Sequence, residues 1–305
     1  MRIVSLLPSG TEIVSALGLG DELVGRTAAC DSPPETAGVP VLTRTTPSGP
    51  APRPGADLRH ELHGGAAARE VDRDALVAAG PDLVLVHDLC DTCGTSRTQA
   101  VRTLRAAGSD AEVLTLDPRS IEGILNTITT VGAMTSAEDE AIGLVEILRE
   151  RLGAIEEQVQ RRRAAGVQPR RVVALEWLDP PFASGDWVPE QVRRAGGWDL
   201  LGREGERACE TAWSAILEVD PEQILLAPCG LDARATAEAW ARVERPAGWD
   251  GLRAVRHGEV FALDGAYFTR PGPRVIDGIA LLAELFDPQG FVDQAPGEAW
   301  IPLPA

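Results

Sequence analysis

The sequence predicts an α/β protein built as two parallel-sheet lobes bridged by one long helix, with a ligand cleft between the lobes. Three observations carry this. Short apolar runs alternate with helical patterns over residues 1–118 and again over 168–305, as in parallel sheets with helical crossovers. Between them, over 119–167, nothing resembles a strand, and Ala, Leu, Ile, Glu and Arg dominate. The length of 305 residues suits about two domains at roughly 150 residues each.

The elements follow in order. RIVSLLPSGTEIVSALG opens with a short apolar strand, turns at Pro8, and offers Ser9 or Thr11 as a cap before an apolar pattern at helical spacing. Glu12 fits a first-turn carboxylate facing the helix N-terminus. DELVGRTA reads as a second strand running to Cys30, VPVLT as a short extended piece, and residues 46–66 as an irregular Pro/Gly loop. DRDALVAAG is a short helix, and PDLVLVHD is a strand apolar on both faces, as a central parallel strand must be. TSRTQAVRTLRAAG is a helix and AEVLTLD a strand. After Ser120 come a short helix, a break near Ser136, and a helix of about 28 residues, roughly 42 Å at 1.5 Å per residue. Beyond it RRVVALEW, EQILLAP and EVFALD read as strands. VPEQVRRAGG, TAWSAILEVD, ATAEAWARV and RVIDGIALLAELF read as helices.

Composition narrows the function. A net charge of −17 argues against nucleic acid or an anionic membrane as partner, because most of the surface would repel either. No apolar segment approaches the roughly 20 residues needed to span a bilayer, so no membrane insertion is expected. The chain runs from Met1 straight into RIVSLLP with no leader pattern, which gives a cytoplasmic expectation. Five cysteines are too few for a disulfide scaffold and are expected as thiols.

Ligands of parallel α/β sheets bind at the edge where the strands' carboxyl ends lie. The residues following the predicted strands are PSGTE, ACDSPP, HDLCDTCG, EWLDPPF, APCGLD and DGAYFTRPGPR. Four of the five cysteines stand in them. Cys90 and Cys93 form a C-x-x-C with no second half in sequence. Cys30 and Cys229, at other strand ends, could complete a thiolate site for a metal ion. Two other readings stay open: a redox dithiol, and thiols that line an apolar pocket. His87 and Asp88 sit beside the pair. His60 and His63 have a helical spacing that suits a metal, and Cys209 stands outside these segments. No Gly-rich phosphate loop follows a strand, and no G-x-S-x-G is present.

At RIVSLLPSGTEIVSALGLGDELVG, ACDSPP, PDLVLVHDLCDTC, EWLDPPFASGDWVPE and AYFTRPGPRVIDG the sequence resembles the helical-backbone (class III) substrate-binding proteins of the Fe/B12 periplasmic-binding type, in their cobalamin-binding branch. The resemblance covers roughly residues 2–287. It implies two α/β lobes bridged by one long helix, a small-molecule ligand held between them at the strand ends, and a monomer. It also implies a cobalamin-like tetrapyrrole or metal complex as ligand. The expected contacts are Cys30, Asp31, Asp88, Trp177, Phe182, Trp187, Tyr267, Phe268 and Arg270, since flat aromatics suit a corrin face. Glu176, Asp179 and Arg274 stand beside them. Exported members of this type commonly present acidic residues to permease arginines. The corresponding places here hold Thr98 and Thr269, which sets this chain apart from docking to an ABC permease. Two alternatives remain: an enzyme of unestablished reaction using the cysteine-lined cleft, and an importer subunit whose true start lies upstream.

Overall fold

The computed structural model describes residues 1–45, 69–88, 96–292 and 297–304. The chain divides into two compact units. Unit 1 comprises Met1–Asp117 with Ile124–Glu146, and unit 2 comprises Pro118–Gly123 with Ile147–Ala305.

In unit 1 the order is β1 (Ile3–Ser5), α1 (Pro8–Ala16), β2 (Leu23–Arg26), β3 (Thr43–Thr45), β4 (Arg69–Val71), α2 (Arg73–Ala79), β5 (Leu83–Val86), α3 (Arg97–Ala107) and β6 (Glu112–Thr115). The sheet runs β2-β1-β5-β6, parallel throughout, with Ile3 opposite both Leu23 and Leu83. β3 and β4 form a separate antiparallel pair. The LVLV of β5 is buried at every position, which explains its unbroken apolar run: helices cover both faces of a central parallel strand. One face packs Val4, Val84 and Val86 against Leu76 of α2 and Ala100 and Leu104 of α3. Both helices are punctuated as their sequences demand. Asp72 and Ser96 accept first-turn amides, and Gly80 and Gly108 close the far ends at positive φ.

Two local expectations are corrected. α1 begins at Pro8 with Leu7 as an N-cap that has no side-chain hydrogen bond, and Glu12 is buried beyond the first turn. Neither Ser9 nor Thr11 caps it, because proline at the first helical position already lacks the orphan N–H. The second strand stops at Arg26 rather than Cys30, because the Arg26 guanidinium folds back to the carbonyls of Thr36 and Cys30 and turns the chain.

Two helices then pass from one unit to the other, α4 (Ile121–Thr135) and α5 (Glu138–Ala164), the second of 27 residues and about 40 Å. The break between them falls at Ser136, whose φ of 57° no helix accommodates. Gly132 lets the two helices meet, because a Cβ there would collide with Ala141.

Unit 2 continues with β7 (Arg170–Leu178), β8 (Pro181–Ala183), α6 (Val188–Arg194), β9 (Gly197–Asp199), β10 (Cys209–Glu210), α7 (Trp213–Val219), β11 (Gln223–Leu226), α8 (Ala233–Trp240), α9 (Arg253–Arg256), β12 (Val260–Leu263), α10 (Val275–Phe286) and β13 (Trp300–Pro302). Its sheet runs β10-β8-β7-β11-β12-β13, with β9 also on β7. The predicted strands β7, β11 and β12 are parallel. Short antiparallel strands extend the sheet at both sides: β8 folds back on β7, and β13 on β12. With two or three residues each, they are too short to show a period in sequence. All seven tryptophans of the chain lie in unit 2.

The first turn of α4 is held within unit 2 by a buried carboxylate. Glu190 Oε2 accepts the Ile121 amide at 2.8 Å, and Oε1 accepts Arg194 Nε at 2.8 Å. Arg119, just before α4, pairs with Asp186. A carboxylate at a helix N-terminus satisfies an orphan amide and the dipole together. Glu190→Ala is therefore expected to lower the stability of unit 2 by about 2–4 kcal/mol, since it strands both a buried amide and Arg194. Glu190→Gln, whose carbonyl still accepts the amide, should lose about half as much in urea unfolding followed by tryptophan fluorescence.

Candidate functional site

In unit 1 the carboxyl end of β1 leads into α1, where the Thr11 hydroxyl lies 2.9 Å from Cys30 Sγ. Cys30 is 3% exposed and Thr11 fully buried, so this thiol faces protein. Arg26 Nη1 donates to the Cys30 carbonyl at 2.7 Å and fixes the loop, leaving Asp31 exposed. At the end of β5, His87 is buried. Asp88 is exposed and its carboxylate accepts the Arg97 amide at 3.0 Å, while its own amide donates to Asp117 at 2.7 Å. Asp88 thus ties β5 to the first turn of α3. Cys90, Cys93, His60 and His63 lie outside the described residues.

In unit 2 the strand-end loops interlock. After β7, Glu176 Oε1 accepts the Gly185 amide at 2.8 Å, Trp177 Nε1 donates to the Asp179 carbonyl, and the cis Asp179–Pro180 bond leads into β8 with half-buried Phe182. After β11, the Cys229 amide reaches the Glu176 carbonyl at 3.3 Å, and the Leu231 carbonyl accepts the Gly265 amide at 2.9 Å. After β12, Asp264 caps the turn 265–267 by accepting the Ala266 amide at 2.8 Å. The three loops are therefore neighbours along one edge, with Cys229 between the other two.

The aromatics divide into two kinds. Trp177 and Trp187, each 4% exposed, and Phe268, 1% exposed, are buried. Trp187 Nε1 donates to the Phe268 carbonyl at 2.6 Å, locking the β12 loop to the start of α6. Phe182 and Tyr267 stay half-exposed and are the rings this edge can present to a ligand. The Arg274 guanidinium lies 5.3 Å from the Tyr267 ring centroid, within cation–π range. Burial raises the Tyr267 phenol, which keeps it a hydrogen-bond donor at neutral pH. Burial also raises the Asp264 carboxyl, against the opposing pull of the Ala266 amide, Arg274 and Arg270. Two guanidinium groups and a phenol thus gather around one carboxyl at this rim.

Gln191 was not legible as part of this edge. Its Nε2 donates to the carbonyls of Tyr267 at 3.0 Å and Val275 at 2.8 Å, so one amide group of α6 pins both ends of the 267–275 loop. Gly278 admits the loop, because a Cβ there would strike the Tyr267 carbonyl. The available signals were a glutamine in a short, partly charged helix and a glycine in the first turns of another. Thr98 is exposed, and the Thr269 hydroxyl donates to the Gly265 carbonyl at 2.8 Å. Of the expected thiolate set, Cys30 lies in unit 1 and half-buried Cys229 in unit 2. Among the described residues no three of His, Cys, Asp or Glu converge on a metal position.

Residues 3–267 match the periplasmic binding protein family. An uncharacterized ABC transporter substrate-binding lipoprotein, YvrC, of Bacillus subtilis is 28% identical over 300 residues, covering 95% of this chain and 81% of that one. The vitamin B12-binding protein of Vibrio cholerae is 23% identical over 282 residues, covering 91% and 86% of the two chains. Among solved structures, a periplasmic heme-binding protein from Pseudomonas aeruginosa superposes with a TM-score of 0.72 at 22% identity, over 94% of this chain and 93% of that one. With most of its length matched, this chain belongs to the periplasmic binding protein family.

Proposed function

We propose that this chain binds a cobalamin-like tetrapyrrole with its strand-end loops. The observation that carries the reading is the unit 2 edge, where three interlocked loops bear half-buried Phe182 and Tyr267 together with Arg270, Arg274 and Cys229. Half-exposed rings suit a flat macrocycle, and a donor-rich rim suits the oxygen acceptors around its periphery. The names of relatives support this ligand class: vitamin B12 for the Vibrio protein and heme for the Pseudomonas one. Exposed Asp31 and Asp88 are the contacts proposed in unit 1, while the buried Cys30 thiol braces the Asp31 loop against Thr11. The name of the Bacillus relative favours a second reading, delivery to an ABC permease. Exposed Thr98, and Thr269 with its hydroxyl engaged, supply no carboxylate for such docking, so the cytoplasmic reading comes first.

Titration of the full chain with hydroxocobalamin, followed by absorbance and calorimetry, should give a Kd of about 1 μM or tighter, near −8 kcal/mol. Absence of binding at tens of micromolar, taken as roughly −6 kcal/mol, overturns the reading. Phe182→Ala is expected to weaken binding about 5–10-fold while the fold survives, as the loss of one stacking ring predicts. Trp187→Phe should instead cost about 1–3 kcal/mol of stability, because the Phe268 carbonyl is left buried without its donor. Metal analysis of the same preparations, with Cys90→Ser and Cys93→Ser, checks the thiolate site: stoichiometric metal that both variants keep excludes these sulfurs as essential ligands. Fractionation of cells making the tagged protein should place it in the cytoplasm. A membrane-anchored product would favour the permease reading.

A further inference from the structure

The last parallel strand of unit 2 does not end its sheet. β12 has β11 on one side, and on the other the chain returns as β13, antiparallel to it, with Leu263 opposite Trp300, Ala262 opposite Ile301 and Phe261 opposite Pro302. The Leu303 amide donates to the Val260 carbonyl at 2.8 Å, and the Asp264 amide donates to the Ala299 carbonyl at 2.9 Å. These bonds flank the Ala262–Ile301 pair, which by the alternation of an antiparallel ladder also faces backbone to backbone. Pro302 falls at the other kind of pair, where an N–H would point away from β12, so the missing donor costs the ladder nothing.

Side chains fasten the same segment. Trp300 meets the Phe261 ring edge-on, with 5.5 Å between centroids, as a diagonal cross-strand contact. Ala299 and Leu303 are buried, and α8 packs across both β12 and β13.

What the segment holds is the start of the 265–267 turn. With its amide bound to Ala299, Asp264 accepts the Ala266 amide on its carboxylate at 2.8 Å and the Tyr267 amide on its carbonyl at 3.2 Å. One residue therefore joins the edge strand to the turn that carries Tyr267. Gln191 fixes the far side of that turn through the Tyr267 carbonyl, and the Leu231 carbonyl takes the Gly265 amide. The near side, at Asp264, is met by the edge strand. A strand of three residues at a sheet edge belongs to the parts of a fold that open without global unfolding.

We propose that segment 299–303 is a positioning strap: paired along β12, it holds Asp264, and through Asp264 the Tyr267 turn, in the shape that meets ligand. When the strap is released, the Asp264 amide loses its acceptor and the turn keeps its anchors at Leu231 and Gln191. The centre of the sheet, β7, β11 and β12, stays paired. The hold on the turn stands without the ligand reading, while its effect on affinity rests on that reading.

The test compares the full chain with Ile301→Pro, which removes the amide facing Ala262, and with Trp300→Ala and Trp300→Phe, of which only the second keeps a ring against Phe261. Each is followed by amide exchange and by hydroxocobalamin titration well below the unfolding temperature, where nearly all the protein is folded. The amides of 264–267 should open about tenfold more often in Ile301→Pro and in Trp300→Ala than in wild type, and by a larger factor than those of Ile224–Leu226 in β11. The Kd for hydroxocobalamin should rise about 5–10-fold in the same two variants. Trp300→Phe should return exchange and affinity to within about twofold of wild type. A strand with a purely structural role would lower thermal stability and leave both readouts in place. Unchanged exchange at 264–267 in Ile301→Pro overturns the proposal, and Trp300→Ala decides in the same way should the proline variant fail to fold. Looser exchange with unchanged affinity overturns the positioning role. If wild type takes up no cobalamin, the ligand reading has failed, and exchange at 264–267 decides the strap by itself.

Discussion

Parallel strands can be joined only by crossovers, and that constraint organises both units. Each connection leaves the carboxyl end of a strand, crosses a face as helix, and re-enters at the amino edge. The irregular chain that follows the parallel strands therefore gathers on one edge of each sheet. In unit 2 this brings the loops after β7, β11 and β12 side by side, close enough for the Cys229 amide to reach Glu176 and the Gly265 amide to reach Leu231. Cys229 and the loop carrying Tyr267, Arg270 and Arg274, about 40 residues apart in sequence, reach one edge because of topology.

That edge is useful only if its loops keep their shape. Buried polar groups do this work: Trp187 and Gln191, both on or beside α6, bond to three backbone carbonyls of the 267–275 loop. The same short helix carries Glu190, which fixes the first turn of α4. The seven residues of α6 thus hold both the 267–275 loop and the start of the connecting helices. Such contacts are strong because each leaves a buried donor or acceptor stranded if broken.

The legible parts of this sequence were those fixed by local rules. The LVLV run, the helices of DRDALVAAG and TSRTQAVRTLRAAG, and the break near Ser136 each follow from side-chain chemistry within a few residues, and the structure has them there. Class-level reading of the fold succeeded for the same reason. The rest depends on contacts over long sequence separations. Nothing near Trp187 announces that its indole will meet Phe268, 81 residues away, and nothing near Asp199 announces Ser184 across a strand edge. Aromatic residues beside strand ends looked alike in sequence. Only the fold separates Trp177, Trp187 and Phe268, which are buried and brace loops, from Phe182 and Tyr267, which remain half-exposed.

A scaffold of this kind does not select its ligand by its sheets. Structures of heme-binding and vitamin B12-binding proteins superpose on this chain with TM-scores of 0.72 and 0.68, so the same crossovers serve different macrocycles. Selection falls to the loops, where one residue changes the chemistry of the edge without touching a strand. Here the exposed rings are few and the donors many, whereas the chain as a whole carries a charge of −17. An acidic body with a donor-rich edge repels anions at long range and accepts them only in contact. What such an edge takes up is favoured by close hydrogen bonds and stacking rather than by long-range electrostatic capture.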